Sequence, residues 1–129
     1  MTSAKKRGAK ILAEVIGYGS SSDAFRVTDM HEEGRGATQA MEAAIADACI
    51  TYKDVNYVNA HGTSTAENDS IETKAIKAVF KERVKQIVVS SIKSSMGHLI
   101  GAAGGAELIT CVLAIRDGIV PATINYNDP

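Results

Sequence analysis

The sequence lacks the features of several large protein classes. It has two cysteines among 129 residues, Cys49 and Cys111, and they lie far apart and outside any CxxC pair, which argues against a disulfide framework or a zinc site and favours a reducing, cytoplasmic setting. The longest apolar stretches, such as residues 109–115, are well short of the ~20 residues that a membrane span needs. The net charge of -1 gives no support for nucleic-acid binding. We expect no signal peptide, because no basic and then apolar leader opens the chain.

The remaining composition is that of a globular protein. Hydrophobic residues make up 45% of the chain and charged residues 22%, so a buried core is expected and disorder is not. No internal repeat, linker or low-complexity tract divides the sequence. We therefore predict a single domain over residues 1–129.

Hydrophobic periodicity predicts strands and helices in alternation. Apolar runs bounded by turn residues predict strands over residues 10–18, 54–59 and 86–91 and an extended segment at residues 119–120. Apolar residues at helical spacing predict helices over residues 35–48, 69–80 and 98–116. This order favours an α/β layered fold with largely parallel strands.

The helix over residues 69–80 has a clear apolar side. Its members are Ile71, Ala75, Ile76, Val79 and Phe80. Asp69 is the predicted N-cap, and Glu72 is its capping-box partner three positions later. Taken alone, these two acids are interpreted as helix caps and nothing more.

Two polar loops with titratable groups follow predicted strands, over residues 59–65 and 90–98. Sites in open α/β sheets collect at the carboxyl ends of strands, so His61, Lys93 and His98 converge if the two strands are neighbours. A helix that starts at His98 carries roughly half a positive charge at its N-terminus, which favours a neutral imidazole there. A neutral imidazole can donate to a developing oxyanion. The alternative is that a lone loop histidine only makes structural hydrogen bonds.

Both loops resemble motifs of the β-ketoacyl-acyl-carrier-protein synthases. Residues 59–65 (NAHGTST), followed by Asn68, Asp69 and Glu72, resemble the first histidine motif. Residues 90–104 resemble the second, Lys/His motif, and residues 7–11 and 121–126 also look like that family. The resemblance is strongest to the elongating, type II bacterial form. It implies a thiolase-like α/β layered fold, of which this chain is the incomplete C-terminal half.

The resemblance implies a decarboxylative condensation of malonyl-acyl carrier protein with an acyl-enzyme thioester in fatty acid elongation. His61 and His98 would donate hydrogen bonds to the enolate oxygen formed when carbon dioxide leaves. Lys93 would act electrostatically, held in an ion pair by Glu72, and Asp69 would brace the same loop.

Further residues are implied to bind substrate or a cation. Thr63 and Thr65 look like the hydroxyls that grip the pantetheine arm of the carrier protein, and Thr28 would line the same tunnel. Asn59 and Glu107 fall where some members bind a structural monovalent cation. The resemblance implies no other cofactor.

The cysteine nucleophile of the family is expected to lie outside this chain. Cys49 is placed at the end of a predicted helix and Cys111 in the middle of another, so both are interpreted as packing cysteines. The implied partners are therefore the N-terminal half of the synthase and the loaded acyl carrier protein. The complete enzyme would be a cytoplasmic homodimer, and the isolated chain would be inactive.

Other interpretations stay open. The chain is alternatively a non-catalytic truncated paralogue, or a scaffold or partner subunit of a split synthase. A phosphate- or nucleotide-binding module that uses the glycine-rich helix start at residues 97–105 is a third hypothesis. The sequence also departs from the family pattern, since Ile92 replaces a usual threonine before Lys93 and Ala66 stands where proline is frequent.

Overall fold

The computed structural model of the chain describes residues 2–27 and 29–127. Its helices are α1 (Thr2–Lys6), α2 (Arg35–Asp47), α3 (Ala66–Phe80), α4 (Lys93–Met96) and α5 (Ala103–Asp117), and its strands are β1 (Tyr57–Asn59) and β2 (Val88–Ser90). Short 3-10 turns cover Tyr52–Asp54, Lys81–Lys85 and Ile100–Ala102.

The two strands form a parallel pair, and this pair positions the two polar loops that follow them. Tyr57 lies opposite Val88, and Asn59 lies opposite Ser90. α3 makes the crossover between the strands, as parallel pairing requires. Because parallel strands end at the same edge, the loops after Asn59 and Ser90 leave the sheet side by side. The condition for His61, Lys93 and His98 to converge, that these two strands are neighbours, is therefore met.

The core lies between α3, α2 and the sheet. The predicted apolar side of α3 is confirmed, with Ala75 0% and Phe80 2% exposed. Met41 and Ile45 from α2 and Val58 from β1 pack against this cluster. Burying each large apolar side chain contributes about 1.5–3 kcal/mol, so this layer is the main source of stability in the described part of the chain.

α3 begins at Ala66, earlier than predicted. Its N-cap is Thr65, whose hydroxyl oxygen accepts the backbone N–H of Asn68 at 3.2 Å. The prediction that Asp69 caps the helix with Glu72 as its partner is therefore wrong. Threonine and aspartate are both good caps, and the choice of threonine leaves the two carboxylates free to bind other donors.

The predicted strand over residues 10–18 is not formed. It pairs with no strand in the described residues, and Val15 on it is 73% exposed. The segment instead runs tightly along α2, where a Cβ at Gly17 would lie 2.4 Å from the carbonyl oxygen of Ala44. The strand expected at residues 119–120 is also absent from the described part. A strand needs a neighbour to satisfy its backbone groups, and these segments have none here.

After β2 the helical structure is interrupted at more points than predicted. The predicted loop over residues 92–97 contains α4, and the helix expected from residue 98 begins at Ala103 after a 3-10 turn. Positive φ angles at Gly97 (74°) and Ile100 (52°) interrupt the backbone here, because such angles do not fit a right-handed helix.

α5 presents most of its apolar side chains to solvent. Ala103 is its buried residue, whereas Ile109 is 61% exposed and Leu108 and Ile115 are exposed as well. Contiguous exposed apolar surface of this kind marks an interaction site. No helix in residues 2–27 or 29–127 combines the length and the apolar content needed to cross a membrane.

Candidate active site

The candidate site lies at the carboxyl ends of β1 and β2. A cavity of about 630 Å³ opens there, with Lys93 and His98 in its lining. The rings of His61 and His98 meet edge to face, with centroids 5.3 Å apart and planes at 84°. The structure thus brings both histidines and the lysine of the two polar loops to one rim.

The loop that carries His61 is held by Glu72. One carboxylate oxygen accepts the backbone N–H of His61 at 2.7 Å, and the other accepts that of Gly62 at 2.8 Å. Gly62 has φ 46°, and a Cβ there would lie 2.5 Å from the Cβ of Ser91. Only glycine fits without displacement, so the two loops touch directly at this point.

Asp69 holds the same loop further along. Its Oδ1 accepts the backbone N–H of Ser64 at 3.2 Å. From the other side, Ser91 donates its hydroxyl to the carbonyl oxygen of His61 at 3.3 Å. The backbone around the histidine is therefore fixed by hydrogen bonds from α3 and from the loop after β2.

The expected ion pair between Lys93 and Glu72 is wrong. Lys93 Nζ pairs with Glu107 of α5, while both oxygens of Glu72 are occupied by backbone N–H groups. The Lys93 side chain is 6% exposed. A buried ammonium needs a carboxylate partner, and α5 supplies it.

His98 is arranged to donate from one defined nitrogen. Its Nδ1 accepts the backbone N–H of Ile100 at 3.0 Å, so the proton of the neutral ring is on Nε2. The expectation that a helix starting at His98 would favour this form is corrected, since α5 begins at Ala103 and a helix dipole acts within its first turn.

The two threonines of the first motif border a smaller pocket. Thr63 and Thr65 line a space of about 210 Å³ beside His61, and their hydroxyl oxygens are 3.4 Å apart. Thr65 has a second task as the N-cap of α3. Thr28, the third residue of the implied pantetheine set, lies outside the described residues.

Asn59 and Glu107 do not form a cation site by themselves. The amide nitrogen and oxygen of Asn59 are buried without a hydrogen-bond partner in the described part of the chain, so its oxygen is a free ligand. Glu107, however, is paired with Lys93, and no group of three or more His, Cys, Asp or Glu side chains is placed to hold a metal in residues 2–27 and 29–127. One free oxygen does not make a cage for a cation.

Neither cysteine has the surroundings of a nucleophile. Burial raises the pKa of the Cys111 thiol, the nearby Asn59 side chain opposes this, and the Glu107 carboxylate raises it further. A raised pKa lowers the thiolate fraction on which nucleophilicity depends. Cys49 is exposed, on a residue with φ 56°.

Three contributors were not found from sequence as parts of this network. The resemblance implies a cation site for Glu107, although it is the partner of Lys93, and a separation of 14 positions follows no local spacing rule. Ser91 and Asn68 stand in the two motifs, but the resemblance implies no role for either. Ile92 departs from the family pattern and is buried beside Lys93, at the start of α4.

The chain matches one protein family over most of its length. The family is described as "Beta-ketoacyl synthase, C-terminal domain", and the match covers residues 12–127. The chain is 55% identical over 127 residues to 3-oxoacyl-[acyl-carrier-protein] synthase 2 of Vibrio harveyi, covering 98% of this chain and 31% of the relative. It is 50% identical over 129 residues to the protein of the same name from Staphylococcus aureus (strain COL), covering 100% and 31%. The chain thus spans about a third of the length of these relatives.

Solved structures share the fold. One is the AntDE:AntF complex, a type II PKS acyl-carrier protein with its ketosynthase bound to the hexaketide, with a TM-score of 0.93, 42% identity and coverage of 98% of this chain and 31% of that chain. Another is the ishigamide ketosynthase/chain length factor, with a TM-score of 0.92, 38% identity and coverage of 99% and 31%. The predicted thiolase-like α/β fold, present as its C-terminal part, is confirmed.

Proposed function

The chain belongs to the β-ketoacyl synthase family through its C-terminal domain, and from this premise we propose that residues 1–129 are one domain of a 3-oxoacyl-[acyl-carrier-protein] synthase. Together with the remaining two thirds, it would join a malonyl group on acyl carrier protein to an acyl group held as a cysteine thioester, in fatty acid elongation. The observation that carries the proposal is the edge-to-face contact of His61 and His98 at 5.3 Å. It supports a role for both rings as N–H donors at one rim of the sheet.

Two neutral imidazoles suit the chemistry of the malonyl group. The bond between its carboxylate carbon and its α-carbon breaks, carbon dioxide leaves, and the electron pair forms an enolate whose charge rests on the thioester oxygen. The α-carbon then attacks the acyl carbonyl carbon, and the cysteine thiolate leaves. Preorganised donors lower the energy of the developing oxyanion, and Nε2–H of His98 is such a donor.

Lys93 contributes charge and does not act as a base. Its ammonium is paired with the Glu107 carboxylate, and an ammonium group has no lone pair with which to take a proton. A positive group beside the histidine rim favours the negative charge that builds up on the thioester oxygen. Glu107 in turn keeps the ammonium fixed.

Glu72 and Asp69 act as positioning residues in this proposal. They accept three backbone N–H groups of the loop that carries His61. Holding a catalytic group in its reactive geometry removes an entropic part of the barrier. Neither carboxylate needs to touch the substrate for this role.

The carrier protein would enter beside the first motif. Thr63 and Thr65 border the pocket next to His61, and their hydroxyls are suited to bind the amides of a pantetheine arm, together with Thr28. A similar structure holds a type II PKS acyl-carrier protein with its ketosynthase, which supports acyl carrier protein as the partner.

The rest of the synthase would cover the exposed apolar surface. α5 presents Leu108, Ile109 and Ile115 to solvent, and Val15 is exposed on the unpaired segment before α2. The remaining two thirds would carry the cysteine nucleophile and bury these side chains. The assembled enzyme would be a cytoplasmic homodimer, in keeping with two cysteines that are both free.

Reconstitution tests this proposal. The chain would be assayed for condensation of acyl- and malonyl-loaded carrier protein, first alone and then joined to the remaining two thirds of a synthase, such as the matching part of the Vibrio harveyi relative. We expect no condensation by the chain alone and activity from the assembled enzyme. The same enzyme with its nucleophilic cysteine replaced by alanine is the control. Robust condensation by the 129-residue chain alone would overturn the proposal.

A further inference from the structure

We propose that Asn68 is a positioning residue whose side-chain amide holds the carboxylates of Asp69 and Glu72 together and thereby fixes the loop that carries His61. The inference rests on the proposed function, because it assigns Asn68 to the step in which His61 acts. It concerns a neutral residue in the first turn of α3 that touches neither histidine through any hydrogen bond described above.

Asn68 is placed to bridge two negative charges. The residue is 5% exposed, and its amide nitrogen donates to Asp69 Oδ1 at 3.1 Å and to Glu72 Oε2 at 3.2 Å. The same two oxygens accept backbone N–H groups of the histidine loop, from Ser64 and Gly62. Each carboxylate oxygen therefore joins the amide to the loop.

An amide is the side chain that suits this place. Two carboxylates that share one donor repel each other, and a planar NH₂ group offers two hydrogens without adding charge. Aspartate has nearly the same shape but presents oxygen instead, which would add a third acceptor. Serine offers one hydrogen and can satisfy one carboxylate at most.

The surroundings of the amide oxygen indicate that stability alone does not explain why an asparagine is at position 68. Its Oδ1 is buried and has no hydrogen-bond partner among residues 2–27 and 29–127. An unsatisfied buried acceptor costs free energy. The amide orientation is thus set by the carboxylates, at the expense of its own oxygen.

Loss of the bridge would reach His61 through Glu72. Without the amide, the Glu72 side chain is free to rotate, and its two-oxygen grip on the N–H groups of His61 and Gly62 loosens. The His61 ring would then shift relative to His98, which faces it at 5.3 Å. A misplacement of about 1 Å can cost roughly 100-fold in rate.

The test compares the two half-reactions of the assembled synthase, made as described above. The variants are Asn68→Asp and Asn68→Ser, with Ser70→Ala, an exposed position on the same helix, as the matched control and His61→Ala as the reference. The readouts are release of carbon dioxide from malonyl-acyl carrier protein, transfer of the acyl group to the nucleophilic cysteine, and the thermal midpoint.

We expect Asn68→Asp to lower kcat for carbon dioxide release by about 10- to 100-fold, with KM for the malonyl substrate and the acyl-transfer rate near those of the parent. Asn68→Ser should lose less, because it keeps one donor. Ser70→Ala should match the parent in every readout.

Two results would overturn the proposal. Parent-like carbon dioxide release by Asn68→Asp, alongside slow release by His61→Ala, would refute the role of Asn68 and leave the proposed function intact. Equal losses in both half-reactions for both Asn68 variants would show a general effect on the fold. Parent-like release by His61→Ala would instead refute the proposed function itself.

Discussion

In α3 the apolar side chains face α2 and the sheet, whereas in α5 they face solvent. Phe80 on α3 is 2% exposed, and Ile109 on α5 is 61% exposed. The first helix has its partners within the described chain, and Asp69 and Glu72 in its first two turns are joined to the histidine loop by hydrogen bonds. The second helix contributes one carboxylate to the site through Glu107, and otherwise presents an unpartnered apolar face.

The difference separates the region whose apolar side chains are buried within the described residues from the region whose apolar side chains are exposed. The unit formed by β1, α3 and β2 contains the loops, their carboxylate braces and a buried core. α5 and the segment before α2 carry the surface that the rest of the synthase would cover. Substitutions in the two regions should therefore behave differently in the isolated chain and in the assembled enzyme.

The largest effect on stability is expected at the buried ion pair between Lys93 and Glu107. Glu107→Gln leaves the ammonium of Lys93 buried without its carboxylate, and breaking a buried ion pair from one side costs about 3 kcal/mol or more. Urea unfolding of the chain measures the loss. Asp117→Asn breaks an exposed pair with Arg116 on the same helix and should leave the free energy of unfolding nearly unchanged. Equal effects of the two variants would contradict a buried, stabilising pair.

A smaller loss is expected where the two loops touch. Gly62→Ala puts a Cβ 2.5 Å from that of Ser91 at a φ of 46°, and overpacking of this kind costs roughly 1–3 kcal/mol. The matched substitution in the exposed region is Gly105→Ala, where a Cβ meets nothing within 4 Å. It should stabilise the isolated chain slightly, since alanine favours a helix interior. If Gly105→Ala lost as much stability as Gly62→Ala, the close contact between the two loops would not explain the effect at Gly62.

A charge added to the exposed face of α5 should have little effect on the stability of the isolated chain but should impair assembly of the synthase. Ile109→Lys is expected to change the unfolding of the isolated chain by less than about 0.5 kcal/mol, as for most surface substitutions. In the assembled synthase, the same lysine would be buried against the other part and would lower the yield of active enzyme. Gln39→Lys, at an exposed position of α2, controls for the added charge. Full assembly of the Ile109→Lys variant would contradict this prediction, because the other part of the synthase would then not cover this face of α5.

The smallest effect concerns the two thiols. Burial raises the pKa of Cys111, so less of its thiolate forms at pH 8, whereas Cys49 is exposed. Iodoacetamide should modify Cys49 several-fold faster, because alkylation needs an accessible thiolate. Mass spectrometry over time measures both rates. Faster labelling of Cys111 would mean that α5 is more open than described.

Local pattern predicted the parts of this fold that local forces determine. The helix over residues 35–48 and the apolar side of α3 follow from spacing alone, and α2 and α3 confirm them. The start of α3 was misplaced because Thr65 and Asp69 are both competent caps, and their preference differs too little to decide from sequence.

Pairing through space could not be predicted. The segment over residues 10–18 has strand composition, but no strand of the described residues pairs with it. Lys93 was assigned to Glu72, which is in the same motif set, although Glu107 from α5 reaches it in the fold. The sequence predicts the proximity of His61 and His98 only on the condition that the two strands are neighbours, and the structure supplies that pairing.

The measurement that tests the central claim most directly is carbon dioxide release from malonyl-acyl carrier protein by the assembled synthase with single histidine substitutions. Removing one oxyanion donor typically costs about 10²–10³ in kcat, so His61→Ala and His98→Ala should each show a loss of that order. His31→Ala, at the third histidine, outside the rim, should release carbon dioxide at the parent rate. Parent rates in both rim variants would contradict the claim that the paired imidazoles stabilise the enolate.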